Sequence, residues 1–173
     1  MPNGLAQAFV LGEEFIGNDK VCLILGDNIF FGSQFEKITK LASKSDDNVI
    51  FGYQVADPQR YGIVEFDEVG NVISLVEKPK KPKTNWAVPG IYFYNNDVVN
   101  FAKKLKPSSR GEYEITDINK IYLRLKTLKF MKIESGNAWL DCGTFQSLND
   151  ASNFVRTVQD RTGLKVNDIE GEW

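Results

Sequence analysis

The chain of 173 residues contains no histidine. That absence excludes Ser-His-Asp and Cys-His nucleophilic catalysis, histidine-ligated zinc and histidine acid–base chemistry. Cysteine is scarce, with two residues. Cys22 and Cys142 have neither zinc-site spacing nor the density of a disulfide framework. There is no basic-then-apolar leader pattern and no apolar run of membrane length, so no membrane partner is expected and a reducing cytoplasm is the expected compartment. A basic patch is missing too: beyond Lys78, Lys80, Lys81 and Lys83 no cationic cluster stands out, and the net charge is −2. Two prolines interleave the last three lysines as in a solvated turn, so bulk nucleic-acid binding is not expected.

What remains is a globular composition, 42% hydrophobic and 25% charged, long enough to bury a core without staples. Chemistry here must rest on carboxylates, lysine, arginine, tyrosine and a hard metal ion. Leu5, Ala8, Phe9 and Ile16 predict a helix between Gly4 and Gly17. Val21 to Leu25 reads as a fully buried strand with Cys22 as a small core thiol. Ser33-Gln34-Phe35-Glu36 has the form of a capping box, and Val49 to Val55 is the next strand. Ile63–Asp67 and Val72–Val76 form a hairpin about Glu68-Val69-Gly70-Asn71, and Ala87 to Tyr94 is a strand interrupted by Pro89 and Gly90. Helical faces follow at Val98, Phe101, Ala102, Leu105 and at Ile115, Ile118, Tyr122, Leu125. Leu128 to Ile133 is a short strand, and a last helix runs from about Phe145 to Asp160, with Thr144 as N-cap and Gly163 as stop. This alternation predicts an α/β layered fold with a mixed, mostly parallel sheet and an inserted hairpin.

Three segments hold candidate site residues. Leu25-Gly26-Asp27-Asn28 places an aspartate just beyond a strand, where α/β sheets bind ligands; the same position also suits a turn cap. Ala138-Trp139-Leu140-Asp141-Cys142-Gly143-Thr144 places a second aspartate before a helix, where it serves either the helix dipole or a cation. Shared between two such loops, one Mg²⁺ with few protein carboxylates and substrate phosphates would be satisfied. Glu77-Lys78-Pro79 offers an acceptor for sugar hydroxyls and a point charge for a phosphate, or a plain exposed ion pair. Arg60-Tyr61-Gly62 adds an aromatic ring and open backbone.

The ordered set Gly4-Leu5-Ala6-Gln7-Ala8-Phe9, Leu25-Gly26-Asp27-Asn28, Arg60-Tyr61-Gly62-Ile63-Val64-Glu65-Phe66, Val76-Glu77-Lys78-Pro79, Gly90-Ile91-Tyr92-Phe93-Tyr94, Arg110-Gly111-Glu112-Tyr113-Glu114-Ile115-Thr116-Asp117 and Trp139-Leu140-Asp141-Cys142-Gly143-Thr144 resembles the central and C-terminal part of bacterial glucose-1-phosphate thymidylyltransferases, from Gly4 to about Lys165. The resemblance implies a partial Rossmann-like sheet and a Mg²⁺-dependent reaction. In it dTTP and glucose 1-phosphate give dTDP-glucose and pyrophosphate, on the route to dTDP-rhamnose and surface polysaccharide. By the same resemblance Asp27 and Asp141 hold the metal, Lys78 contacts the sugar phosphate and Arg110 lies near it. Tyr61, Gly62, Glu77 and Val88 surround the glucose, Gly4 and Leu5 sit beside the base, and Trp139 lies against the floor of the site. It implies a homotetramer as well. An ionised phosphate oxygen as nucleophile suits a chain without histidine, because catalysis is then positioning and charge stabilisation.

The family's glycine-rich Gly-Gly-x-Gly-Thr-Arg-Leu loop and the lysine after it have no counterpart in these residues. Loss of one such phosphate donor raises a barrier by about 2 to 4 kcal/mol. The expectation is therefore a single partial domain over residues 1–173, a truncated or split enzyme inactive without a separate N-terminal half. The alternative is a non-catalytic remnant that binds sugar phosphate or contacts subunits.

Overall fold

A computed structural model describes residues 3–166, so the domain expected over 1–173 extends beyond the described residues at both ends. Short helices α1 (Gln7–Leu11) and α2 (Glu13–Ile16) lead into β1 (Val21–Ile24), β2 (Asn28–Phe31), α3 (Phe35–Ser43) and β3 (Asn48–Gln54). Then come β4 (Gly62–Phe66), β5 (Val72–Glu77), β6 (Trp86–Ala87), β7 (Ile91–Tyr94), α4 (Val98–Lys104), α5 (Ile115–Leu125), β8 (Leu128–Lys132), β9 (Ala138–Asp141) and α6 (Phe145–Thr162).

Among the described residues the main sheet has seven strands in the order β1-β7-β3-β6-β4-β5, with β8 also paired to β3. Successive residues of its strands point to opposite faces, which divides the core in two. Ile50, Val64, Tyr92 and Tyr94 pack under α1, α4 and α5, alongside Phe9, Val98, Ile118 and Tyr122. Val49, Phe51, Ile63 and Ile91 pack on the other face with Phe30, Ala42 and Trp139. β3 is thus buried on both faces, which explains its continuous apolar sequence.

The α/β class expected from the alternation is the one observed, but the sheet is not mostly parallel. Among the described residues only β3 and β8 pair in parallel; every other pairing is antiparallel. Periodicity does not encode strand direction. β2 leaves the main sheet and pairs with β9 in a separate two-stranded sheet, so α3 does not bridge two parallel neighbours. The hairpin β4–β5 forms as expected, with Gly70 at positive φ in its turn.

Three local expectations are corrected. The first helix breaks at Gly12, which ends α1 and starts α2. β1 is an edge strand of the described sheet, half-exposed rather than fully buried, with Cys22 on its open face and Ile24 56% exposed. At Ser33 no capping box forms: the cap of α3 is Gln34, without a side-chain hydrogen bond. The box is instead at α6, where Thr144 and Ser147 exchange hydrogen bonds, and Gly163 closes that helix in the left-handed conformation.

Candidate active site

The turns after β1, β5 and β9 and the three-residue helical turn Pro58–Arg60 open onto one cleft of about 560 Å³. Asp27 lies in the turn between β1 and β2. Its carbonyl accepts from Cys142 N–H at 2.7 Å, and this backbone bond joins the two aspartate-bearing loops. The Asn28 side chain organises the junction. Its Nδ2 donates to Asp27 Oδ1 at 2.8 Å, while its Oδ1 accepts from Gly90 N–H at 3.0 Å and Trp139 Nε1 at 2.6 Å. Gly90 is required there, because a β-carbon would stand 2.7 Å from Leu25 and 2.8 Å from Asn28 Oδ1.

Asp141 ends β9. Its Oδ1 accepts from Gly143 N–H at 3.2 Å, and its Oδ2 faces Arg60 Nη2 at 3.4 Å. A β-carbon on Gly143 would stand 3.2 Å from Asp141 Oδ1 and 3.4 Å from Asp27 Oδ2. The two carboxylates therefore converge on one small space that glycine leaves open. Their field reaches the neighbouring thiol: burial, then Asp141 and Asp27, push Cys142 above the ordinary thiol range.

The sugar-side residues follow from the β4–β5 register, which sets Gly62 opposite Glu77. Lys78 N–H donates to Tyr61 carbonyl and Val88 N–H to Gly62 carbonyl. Lys78 holds φ +40°, a left-handed conformation uncommon for a residue with a side chain. Glu77 accepts from Thr116 Oγ1 at 2.5 Å and pairs with Arg110 at 3.4 Å. Arg110 also grips Glu112 at 3.0 Å and stands 3.6 Å from Glu114. The Tyr61 ring centre lies 5.0 Å from that of Trp139, and the Arg60 guanidinium stands 5.3 Å from it; burial raises its phenol above the ordinary range.

Leu5, Asp27, Tyr61, Gly62, Glu77, Lys78, Val88, Arg110, Trp139 and Asp141, all singled out in the sequence, line this cleft. Gly4 does not: it sits outside the lining with positive φ, where a β-carbon would stand 2.5 Å from the Tyr113 carbonyl oxygen. Asn28, Thr116 and Glu114 are lining residues that the sequence reading passed over, and Arg60 was noted there without a role. Asn28 stands beside Asp27 in the same motif, and Glu114 in the Arg110 motif. Among the described residues, three cationic side chains of the cleft, Arg60, Lys78 and Arg110, face five carboxylates: Asp27, Glu77, Glu112, Glu114 and Asp141. The excess of negative charge and the convergence above Gly143 both fit one hard divalent cation held by few protein oxygens.

A mixed α/β protein with paired carboxylates and scattered cations at its strand ends is suited to phosphorylated substrates. Residues 1–158 match the Nucleotidyl transferase family, and the chain belongs to that family. It is 54% identical over 170 residues to a glucose-1-phosphate thymidylyltransferase of Neisseria gonorrhoeae, covering 98% of this chain and 59% of the relative. It is 53% identical over 165 residues to the enzyme of that name from Mycobacterium tuberculosis strain H37Rv, covering 95% and 57%. The chain thus spans less than two thirds of the length of these relatives. Among solved structures, one from Bacillus anthracis, assigned as a glucose-1-phosphate thymidylyltransferase and complexed with a sucrose, superposes with a TM-score of 0.77 at 39% identity, covering 90% of this chain and 62% of that one. A UDP-glucose pyrophosphorylase with UDP-glucose shares the fold, with a TM-score of 0.81 at 24% identity over 91% of this chain and 64% of that one. No helix among the described residues is long and apolar enough to cross a membrane.

Proposed function

We propose that this chain is the sugar-phosphate and metal-binding portion of a Mg²⁺-dependent glucose-1-phosphate thymidylyltransferase, converting dTTP and glucose 1-phosphate to dTDP-glucose and pyrophosphate. The observation that carries the reading is the convergence of Asp27 and Asp141 above Gly143, in the cleft that also holds Lys78 and Glu77. In this reading Glu77 accepts from glucose hydroxyls, Val88 and Gly62 border the ring, and Lys78 and Arg110 hold the 1-phosphate. An oxygen of that phosphate attacks the α-phosphorus of dTTP and pyrophosphate leaves; no protein base is needed, because the nucleophile is already ionised. Asp27 and Asp141 would hold Mg²⁺, which supplies charge neutralisation on the nucleotide phosphates. Leu5 borders the base and Trp139 the floor. Cytoplasmic synthesis of dTDP-glucose for the dTDP-rhamnose and surface-polysaccharide route, by a homo-oligomer, completes the proposal.

Arg60 is engaged with Asp57 and Asp141, and Lys78 and Arg110 are taken by the sugar phosphate in this reading, which leaves little cationic charge for a triphosphate. The chain by itself, one partial domain, is therefore expected to bind glucose 1-phosphate without turning over. That same observation supports the second reading, a non-catalytic sugar-phosphate-binding or subunit-contact module.

Calorimetric binding of glucose 1-phosphate and pyrophosphate release with dTTP and Mg²⁺ separate these. Binding lost in Lys78→Ala, with release appearing once a polypeptide carrying the family's glycine-rich segment is added, supports the enzyme reading. Binding without release under either condition leaves the second. Release by the chain alone, abolished by Asp27→Ala, would show that the glycine-rich segment is dispensable. Glucose 1-phosphate binding indifferent to Lys78→Ala would sink the site assignment.

A further inference from the structure

Arg60 has no assigned part in the reaction, yet its guanidinium pairs with one of the two converging carboxylates, Asp141. Its backbone is fixed by the turn that Pro58 starts: Arg60 N–H donates to Asp57 carbonyl at 3.2 Å, and Tyr61 N–H to Pro58 carbonyl at 3.2 Å. Its guanidinium divides between two acids, with Nη1 3.0 Å from Asp57 Oδ2 and Nη2 3.4 Å from Asp141 Oδ2. The shorter bond is to Asp57. The flat group rests over Tyr61, 5.3 Å from the ring centre, and so cannot drop away from Asp141 without leaving that ring.

From this geometry we infer that Arg60 is a resident counter-charge on Asp141, a positioning residue with which a divalent cation must compete, and that Asp57 sets the strength of the competition. The inference rests on the reading that Asp27 and Asp141 share a cation. Without the cation, the guanidinium relieves the repulsion between two carboxylates that face one point. With it, the same positive charge stands a few ångströms from a dication and opposes its binding. Asp57 neutralises part of that charge and holds the guanidinium toward itself. Removing Arg60 and removing Asp57 therefore have opposite effects. A purely structural part for this turn would make both substitutions weaken the site.

The measurement is direct Mn²⁺ binding to the 173-residue chain, read as loss of the free-ion electron paramagnetic resonance signal. Arg60→Gln is expected to tighten Mn²⁺ by about three- to tenfold, a range set by one unit charge at this distance in a half-exposed site. Arg60→Lys keeps the charge and is expected to stay within about twofold of the parent. Asp57→Asn is expected to weaken binding about two- to threefold, with both effects shrinking in high salt. Arg60→Gln and Asp57→Asn shifting affinity in the same direction, or Arg60→Gln leaving it unchanged, would overturn the inference while the cation site stands. Mn²⁺ binding that Asp27→Asn does not reduce would sink the cation site, and this inference with it.

Discussion

The indole N–H of Trp139 donates to the side-chain oxygen of Asn28 at 2.6 Å, across 111 residues of sequence. The same oxygen accepts from Gly90 N–H, so one amide ties β9 and the β6–β7 connection to the loop that carries Asp27. Removing it leaves two buried or half-buried donors without partners. Asn28→Ala is expected to lower the unfolding free energy by about 2 to 3 kcal/mol, and Trp139→Phe by about 1 to 2. Because the two share a bond, the double variant should fall short of their sum by about 1 kcal/mol in urea titrations. Strict additivity would show that the bond carries no energy.

Lys78 separates stability from binding. Its φ of +40° favours glycine over alanine by about 1 kcal/mol. Lys78→Gly is therefore expected to be more stable than Lys78→Ala by about that amount. Both should lose glucose 1-phosphate affinity alike, by about tenfold or more, since both delete the ammonium. Unequal affinities would mean that the backbone conformation, rather than the charge, serves the ligand.

Three buried tyrosines govern the alkaline limit. Tyr94 donates to Asn119 Oδ1 and Tyr122 to Asp97 Oδ1, and burial raises the phenols of Tyr92, Tyr94 and Tyr122 far above their ordinary range. The unfolded chain ionises them near pH 10. Their contribution is whole below that pH and is lost as pH rises, because the unfolded state releases protons that the folded state keeps. Stability should fall above about pH 10 by up to about 1.4 kcal/mol per pH unit for each tyrosine. Tyr94→Phe should flatten the slope of urea midpoint against pH; an unchanged slope would remove Tyr94 from the account.

Helical periodicity was enough to place α4, α5 and α6, and turn chemistry was enough for the β4–β5 hairpin. Those signals are local, and local geometry satisfies them. The Asp27, Glu77-Lys78 and Asp141 segments, which line one cleft, could be singled out because each couples a strand end to a residue type suited to phosphates, sugars or cations. Strand direction was not legible, since alternation of side chains is the same in parallel and antiparallel ladders. Nor was the departure of β2 from the main sheet, which depends on its partner β9 more than a hundred residues later. Cys22 illustrates the difficulty: an apolar run predicts burial, but burial also requires a covering layer, and β1 has an open face in the described structure. The Arg60–Asp141 pair could not be read from spacing, because 81 residues separate its members. Asn28 needed the fold for another reason, since an asparagine beside an aspartate has many uses and only Trp139 and Gly90 reveal which one applies.

The two-stranded sheet of β2 and β9 has a consequence for the order of assembly. Four residue pairs make up its ladder, and forming it requires the chain to close a loop of more than a hundred residues. Such closure loses entropy that local hairpins keep, so β2 and β9 are expected to join after β4 has met β5. Asp27 and Asp141 lie at one end of that seam, Asp27 just before β2 and Asp141 in the pair with Asn28. Under the proposed reading, the groups that would gather the cation are thus expected to come together late in folding. A dication bound there would act as a clasp, favouring the closed seam over its opened form.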